Sequence, residues 1–313
     1  MAPQELVWAT SDGVSKRGIR WARVDGEIDR LNGIVSRKTA EMVASAQKSG
    51  DALSPEVASM VVHPDQRVYK QRWIFMPVFF ALTSVSLVLF GGSTSTGSLS
   101  LILFGGTTVT GLGARALVIL ATFLIEFMWY DLFSGVLHVV LDNPDFIGVP
   151  ILHEPCLEFQ WHHHIPLDLT VKSYLEVCGD LNLVVSILFS IYLALGIYYK
   201  MNPTFCCLVG WKLLMAYFGQ LCHCMSHMPS PYKPKWVNTL QNWGVMISTH
   251  EHNQHHKNYD DSFCIGSGVC NPAIKAMRQV STNKWLWLSM FIVLLLADVP
   301  LVNHVLTERL SFP

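Results

Sequence analysis

Long apolar runs separated by short polar stretches set the pattern of this chain. A helix that crosses a bilayer needs about 20 mostly apolar residues. Five stretches approach that requirement: 73–90, 116–141, 181–199, 205–225 and 285–305. Glu126 and Asp131 interrupt the second run, and an ionisable group at such a depth is costly unless it is functional or paired. Trp129 or a backbone group would serve as a partner. Trp285 and Trp287, at the head of the fifth run, suit the membrane–water interface. The segment 91–113 is rich in Gly, Ser and Thr and its apolar core is too short to cross, so it reads as a loop or a re-entrant segment. The pattern predicts an all-α multi-span membrane protein with four to five transmembrane helices. It divides the chain into a partly disordered cytoplasmic region (1–72), a membrane domain (73–284) and a C-terminal span with its tail (285–313).

Charge gives the spans a direction. Arg67, Lys70 and Arg72 precede the first run, which places the N-terminus in the cytoplasm. The second run then returns to the cytoplasmic face, and the third and fourth form a hairpin out and back. Lys233, Lys235, Lys257, Lys275, Arg278 and Lys284 all fall on that same inner side.

Composition agrees with a membrane protein. The chain of 313 residues is 51% hydrophobic and only 14% charged, where a soluble domain carries roughly a quarter charged residues. A net charge of −1 offers no global field for nucleic acid. The eight cysteines contain no C-x-x-C pair, which argues against a zinc ribbon or a thioredoxin-type site, and they read as reduced, structural residues. The first 60 residues have no basic start followed by an apolar core. They carry Glu5, Asp12, Asp25, Glu27 and Asp29, unlike a transit peptide. The endoplasmic reticulum membrane is the expected location.

The chemistry lies in the histidines. Eight of the thirteen fall at His138, His162-His163, His223-x-x-x-His227 and His252-x-x-His255-His256. The predicted sidedness brings all eight to the cytoplasmic ends of spans or to cytoplasmic loops. His223 and His227 share a helix face, as do His252 and His256, with His255 at i+3. His162 and His163 diverge by about 100 degrees on a helix, so they serve different ions or meet one ion at a kink, and Pro166 ends or bends that helix. Asp142 shares a face with His138 and either ligates directly or accepts the second ring N–H of a histidine ligand. Eight imidazoles exceed the four donors of one zinc site and suit two ions with open positions. His63 and His304 read as surface or hydrogen-bonded residues, while His153, His164 and His250 are left open as neighbours of the groups. Two rival readings remain. A zinc hydrolase needs a base beside the metal, and neither Glu158 nor Glu251 forms H-E-x-x-H. A metal transporter or metal-binding scaffold needs ligands near the bilayer midplane, and these lie at span ends.

The same residues carry a resemblance to a known family, the Kua-type or CarF-like membrane desaturases, over about half of the chain. Asp131-x-x-Ser134-Gly135-x-x-His138-x-x-x-Asp142 is similar to the first motif of that family. Phe159-Gln160-Trp161-His162-His163, with Pro166 and Thr170, is similar to the second, and His223-x-x-x-His227 to the third. Leu240-Gln241-Asn242-Trp243, His252-x-x-His255-His256 and Phe263-Cys264-Ile265 with Gly268 form the fourth. The resemblance implies a lipid desaturase with two iron ions held by the eight histidines, dioxygen as oxidant and electrons from a cytochrome b5 system. The implied substrate is a membrane phospholipid. The favoured reaction converts the 1-O-alkyl ether of plasmanylethanolamine to the vinyl ether of a plasmalogen, and the alternative desaturates a phospholipid-bound acyl chain in the manner of the plastid trans-3 palmitate enzyme. Val139, Cys224, Met225 and Ser226 depart from the family pattern, and Gln160 and Gly244 lean toward the plastid type.

Overall fold

In a computed structural model of the chain, residues 112–310 are described, apart from 165, 167, 172–173, 200–201 and 229–232. The region 1–72, the run 73–90 and nearly all of 91–113 lie outside the described residues. The described residues contain helices and no strand. In chain order they are α1 (Leu112–Leu141), a 3-10 turn (Pro144–Gly148), α2 (His153–His164), the one-turn helices α3 (Asp168–Val171) and α4 (Tyr174–Val177), α5 (Gly179–Tyr199) and α6 (Pro203–His227). There follow α7 (Lys235–Asn242), α8 (Thr249–Lys257), α9 (Asn271–Val280), α10 (Lys284–Leu296) and α11 (Asp298–His304), which ends in a π turn (Val305–Arg309).

Two helical stretches, Ala116–Leu141 and Pro203–His227, are long and apolar enough to cross a bilayer. They run side by side in the same direction. Phe123 meets Trp211 at 5.1 Å between ring centroids, Phe127 meets Phe218 at 6.4 Å, and His138 meets His223 at 5.5 Å. At Gly219 an added Cβ would lie 1.7 Å from the Tyr130 hydroxyl oxygen, so glycine leaves the space between the two helices that the Tyr130 ring fills. On the other side of α1, Leu117, Leu120, Leu124 and Met128 are exposed at i, i+3, i+7 and i+11, an apolar stripe facing lipid.

Parallel spans require a return crossing, and α5 makes it. Asn182 accepts from the Tyr217 hydroxyl at 2.8 Å, while Tyr192, ten residues later, reaches back toward the level of Lys212, so α5 runs against α6. The helix, Gly179–Tyr199, covers the run 181–199 read from the sequence.

The fifth run differs from its expectation as one continuous helix. It is broken at Ala297 into α10 and α11, which meet at 56°. Pro300 sits in the first turn of α11, where its missing N–H costs nothing, and the Asp298 carboxylate turns inward to bind Lys212 of α6 and the Tyr192 hydroxyl of α5. Before the break α10 packs antiparallel on α1, through Phe133 and Phe291 at 5.7 Å and a bond from Trp129 Nε1 to the Leu294 carbonyl at 2.9 Å. Trp129 therefore serves α10 rather than an acidic neighbour. All eight cysteines are free thiols, seven of them buried.

Candidate metal centre

The C-terminal ends of α1 and α6 deliver His138, His223 and His227 to one end of the bundle. Two short helices close over them. α2 brings His162 and His163, and α8 brings His252, His255 and His256. Ser248 begins α8 by accepting the Glu251 N–H at 3.1 Å, an S-x-x-E signal that the sequence carries openly. His138, His252 and His255 are fully buried, and His162, His223 and His227 nearly so.

Their ring nitrogens converge in two sets of donor atoms, each set lying within 4.8 Å: His162, His223, His227 and His252 in one, and His138, Asp142, His163 and His255 in the other. His162 and His163, adjacent in sequence, go to different sets, as their divergence on α2 allows. His256 belongs to neither set, but its Nε2 lies 3.3 Å from His252 Nε2, and its ring lies 4.8 Å from that of His163. Phe159 lies edge-on to His138 at 4.8 Å, and Phe263 lies 5.2 Å from His255, so apolar rings shield this end of the cluster from water.

The donor atoms fit a cation. His252 Nε2 faces His227 Nε2 at 2.8 Å, and His223 Nε2 faces His162 Nε2 at 3.0 Å. Nitrogens bound to one ion at about 2.1 Å sit roughly 3 Å apart. His255 donates its Nδ1–H to the Asp261 carbonyl at 2.9 Å, which turns its Nε2 toward Asp142. That nitrogen lies 3.1 Å from Asp142 Oδ2, and the two atoms are not aligned as a hydrogen bond. Both residues belong to the same donor set. The other Asp142 oxygen meets His163 Nε2 at 2.8 Å. Both His138 nitrogens lack a hydrogen-bond partner among the described residues, as do Nδ1 of His162, His163, His252 and His256.

Electrostatics keep the donors in ligand form. Burial, reinforced by the neighbouring rings, pushes His162, His252 and His256 below the ordinary imidazole range, so they are neutral with free lone pairs. Burial alone would raise the Asp142 carboxyl. The rings of His138, His163 and His255 outweigh it and hold that carboxyl well below the usual carboxylate range.

Of the three neighbours left open by the sequence, the His164 side chain lies outside the described residues and the other two separate here. His153 Nδ1 bonds the Ile147 carbonyl at 2.8 Å, and His250 is exposed and pairs with Gln254, so both stand apart from the donor sets. His304 is exposed on α11, and His63 lies outside the described residues. Glu251 accepts from Asn271 Nδ2 at 2.7 Å and lies over Gly268, which commits the carboxylate that a hydrolase would need as its base. Reading the sequence missed the Asp261 carbonyl behind His255 and the Gln160 amide that bonds the Asp142 carbonyl at 2.7 Å, since neither pairing has a spacing signal.

A helical membrane protein with two histidine-rich donor sets at one end of its spans is the class that the fold and the site define. The chain belongs to the family described by the lipid desaturase domain, whose model matches residues 127–299, more than half of its length. The match runs past residue 284, so α10 lies inside the family domain. Among similar proteins, fatty acid desaturase 4, chloroplastic, of Arabidopsis thaliana is 28% identical over 142 residues, 45% of this chain and 43% of the relative. Fatty acid desaturase 4-like 1, chloroplastic, of the same plant is 27% identical over 167 residues, 53% of this chain and 54% of the relative. Plasmanylethanolamine desaturase 1 of Mus musculus is 27% identical over 148 residues, 45% of this chain and 54% of the relative. The chain thus matches about half the length of these relatives. No solved structure matches it.

Proposed function

We propose that the chain is a dioxygen-dependent lipid desaturase whose centre is two iron ions, held by His138, His162, His163, His223, His227, His252, His255 and His256 together with Asp142. The observation that carries this reading is the convergence of two four-donor sets at the bilayer end of two parallel spans. Iron bound there would supply reductive activation of dioxygen, the chemistry that side chains lack for attacking an unactivated C–H bond. The residues do the rest. The imidazoles hold the ions with neutral donors, Asp142 supplies one negative charge at one set only, and Phe159 and Phe263 keep water from the reaction. The net reaction removes two hydrogens from adjacent carbons. Those two hydrogens, dioxygen, two electrons and two protons leave as two waters, and the electrons come from a cytochrome b5-type donor.

The favoured substrate is plasmanylethanolamine, converted to the vinyl ether plasmalogen in the endoplasmic reticulum with the site facing the cytoplasm. The mouse relative, matched over 54% of its length, supports this choice. A second reading, desaturation of an acyl chain on a phospholipid, is favoured by Gln160, Gly244 and the plant relatives. Lipid profiles of cells lacking the gene separate the two. Loss of vinyl-ether lipids with build-up of their alkyl precursors supports the first, and an unchanged plasmalogen pool with an altered acyl profile supports the second. Metal analysis tests the centre itself: about two irons per purified chain is the expected result, and a single zinc overturns it. His227→Ala removes a donor from the all-histidine set, and the expected product is none.

A further inference from the structure

The connection between His227 and His252 contains a surface helix whose outer face is unlike the rest of the exposed protein. From 228 to 247 the chain has no acidic residue, two lysines and two tryptophans. The helix α7 is strongly amphipathic. Its inner face, Val237 with Leu240, packs in one cluster with Met225 in the last turn of α6 and with Met228 just beyond it. Its outer face presents Lys235, Trp236, Thr239 and Asn242, and continues into Trp243 and Gly244. Trp236 is 39% exposed and Trp243 is 74% exposed. Seven residues apart, the two indoles lie on one side of the helix about two turns apart. Large aromatic rings left outside at such fractions, beside a lysine and without acids, have the composition of a helix that lies in the headgroup layer.

Position agrees with composition. α7 rests on the terminal turn of a spanning helix, so it sits where that span leaves the hydrocarbon. Trp285 lies at the same end of the spans on another element. It opens α10, is 58% exposed, and stacks edge-on to Phe146, just past the end of α1. Tryptophans at one depth on separate elements are the aromatic belt of a bilayer interface.

We infer that α7 is an interfacial helix, its Trp236 and Trp243 inserted among the headgroups of the bilayer that the spans cross. The occupant of this face is lipid, not a second protein: the face lies at the end of a spanning helix, carries Lys235 and has no acidic residue. The inference is independent of the desaturation reading, since it concerns only where the membrane surface lies. Its consequence for the fold is that the segment joining two donors of the all-histidine set, His227 and His252, rides on the bilayer surface.

Nitroxide labels on the full chain in phospholipid nanodiscs test it, one at a time at Trp243→Cys, Leu124→Cys and Asp260→Cys, with the parent chain as the background for its own thiols. Leu124 lies on the lipid-facing stripe of α1, and Asp260 lies in a charged, exposed loop. The expected label at 243 collides with oxygen more often, and with a water-soluble nickel chelate less often, than the label at 260, at values between the other two sites. Collision rates at 243 equal to those at 260 overturn the inference. Protection of 243 from both oxygen and the chelate, which indicates a covering protein, overturns it as well.

Discussion

Two aspartates on one line along α1 and its C-terminal end, Asp131 buried and Asp142 half-buried, meet opposite fates. Asp131 and Asp142 stand eleven residues apart, about three turns, and so face the same way. Asp131 is saturated by backbone: Oδ1 accepts from the N–H groups of Ser267 at 2.6 Å and Gly268 at 3.0 Å, and Oδ2 from that of Cys270 at 2.8 Å. Asp142 faces imidazoles, and one of its oxygens has no hydrogen-bond partner among the described residues. The same residue type is therefore structural at one depth and part of a donor set at the other, and the difference lies in what surrounds each carboxylate. A loop of amides can satisfy an aspartate completely. Asp142 instead has one oxygen 3.1 Å from an imidazole nitrogen without the alignment of a hydrogen bond, and it shares a donor set with three histidines. Between the two, Ser134 accepts the Ile265 N–H at 3.2 Å and Gly135 lets the loop approach, so the lower half of the stripe holds the 263–270 loop against the spans and the upper half faces the metal centre.

The largest expected effect falls on function at Asp142. Asp142→Ala removes the only charged donor of its set, and iron content should fall toward half while product drops below detection. Circular dichroism and detergent-solubilised expression should stay near those of the parent. Retained iron and activity would refute the assignment of Asp142 and leave the eight histidines as the whole donor set.

Asp131→Ala should invert that result. Three buried N–H groups lose their acceptor, and each orphaned donor costs about 1–3 kcal/mol. The variant is expected to lose on the order of 3–5 kcal/mol of stability, read as a lowered midpoint of thermal unfolding in detergent. The fraction that remains folded should bind iron at the parental ratio. A stable Asp131→Ala protein with depleted metal would erase the contrast, because it would make Asp131 a participant in the centre rather than a clamp.

Two of the spans and the grouping of the histidines were legible in the sequence for a physical reason. Apolar length has no alternative meaning once it approaches the thickness of a bilayer, and imidazoles at i, i+4 have few uses beside an apolar span. What stayed hidden depends on partners distant in the chain. Nothing local distinguishes the Asp131 clamp from a ligand, since its three donors lie more than 130 residues away. Glu126 faces the same difficulty, because the charges that act on it are Asp298 and Lys212, each from a different helix. The break at Ala297 was closer to legible. Asp298 and Pro300 inside an apolar run are a helix-start signal, outweighed in the sequence by hydrophobic residues on both sides.

The smallest effect probes the middle of the stripe. A Cβ at Gly135 would lie 2.7 Å from Ile274 Cγ1 and 2.8 Å from Cys264 Sγ, both in the packed layer that the Asp131 clamp draws against α1. Overpacking of this kind costs about 1–3 kcal/mol, so Gly135→Ala should lower stability without touching a donor. Ile274 is fully buried, and Ile274→Ala alone should cost about 2–5 kcal/mol through the cavity it leaves. If the glycine exists to admit Ile274, the two losses are not additive: the new methyl occupies part of the space that the isoleucine vacates, and the double variant should be more stable than the sum of the single ones predicts. Additivity in that cycle would locate the constraint at Cys264 instead. A drop in iron content with Gly135→Ala would show that the clamp transmits its position to His138, one turn further along the same face.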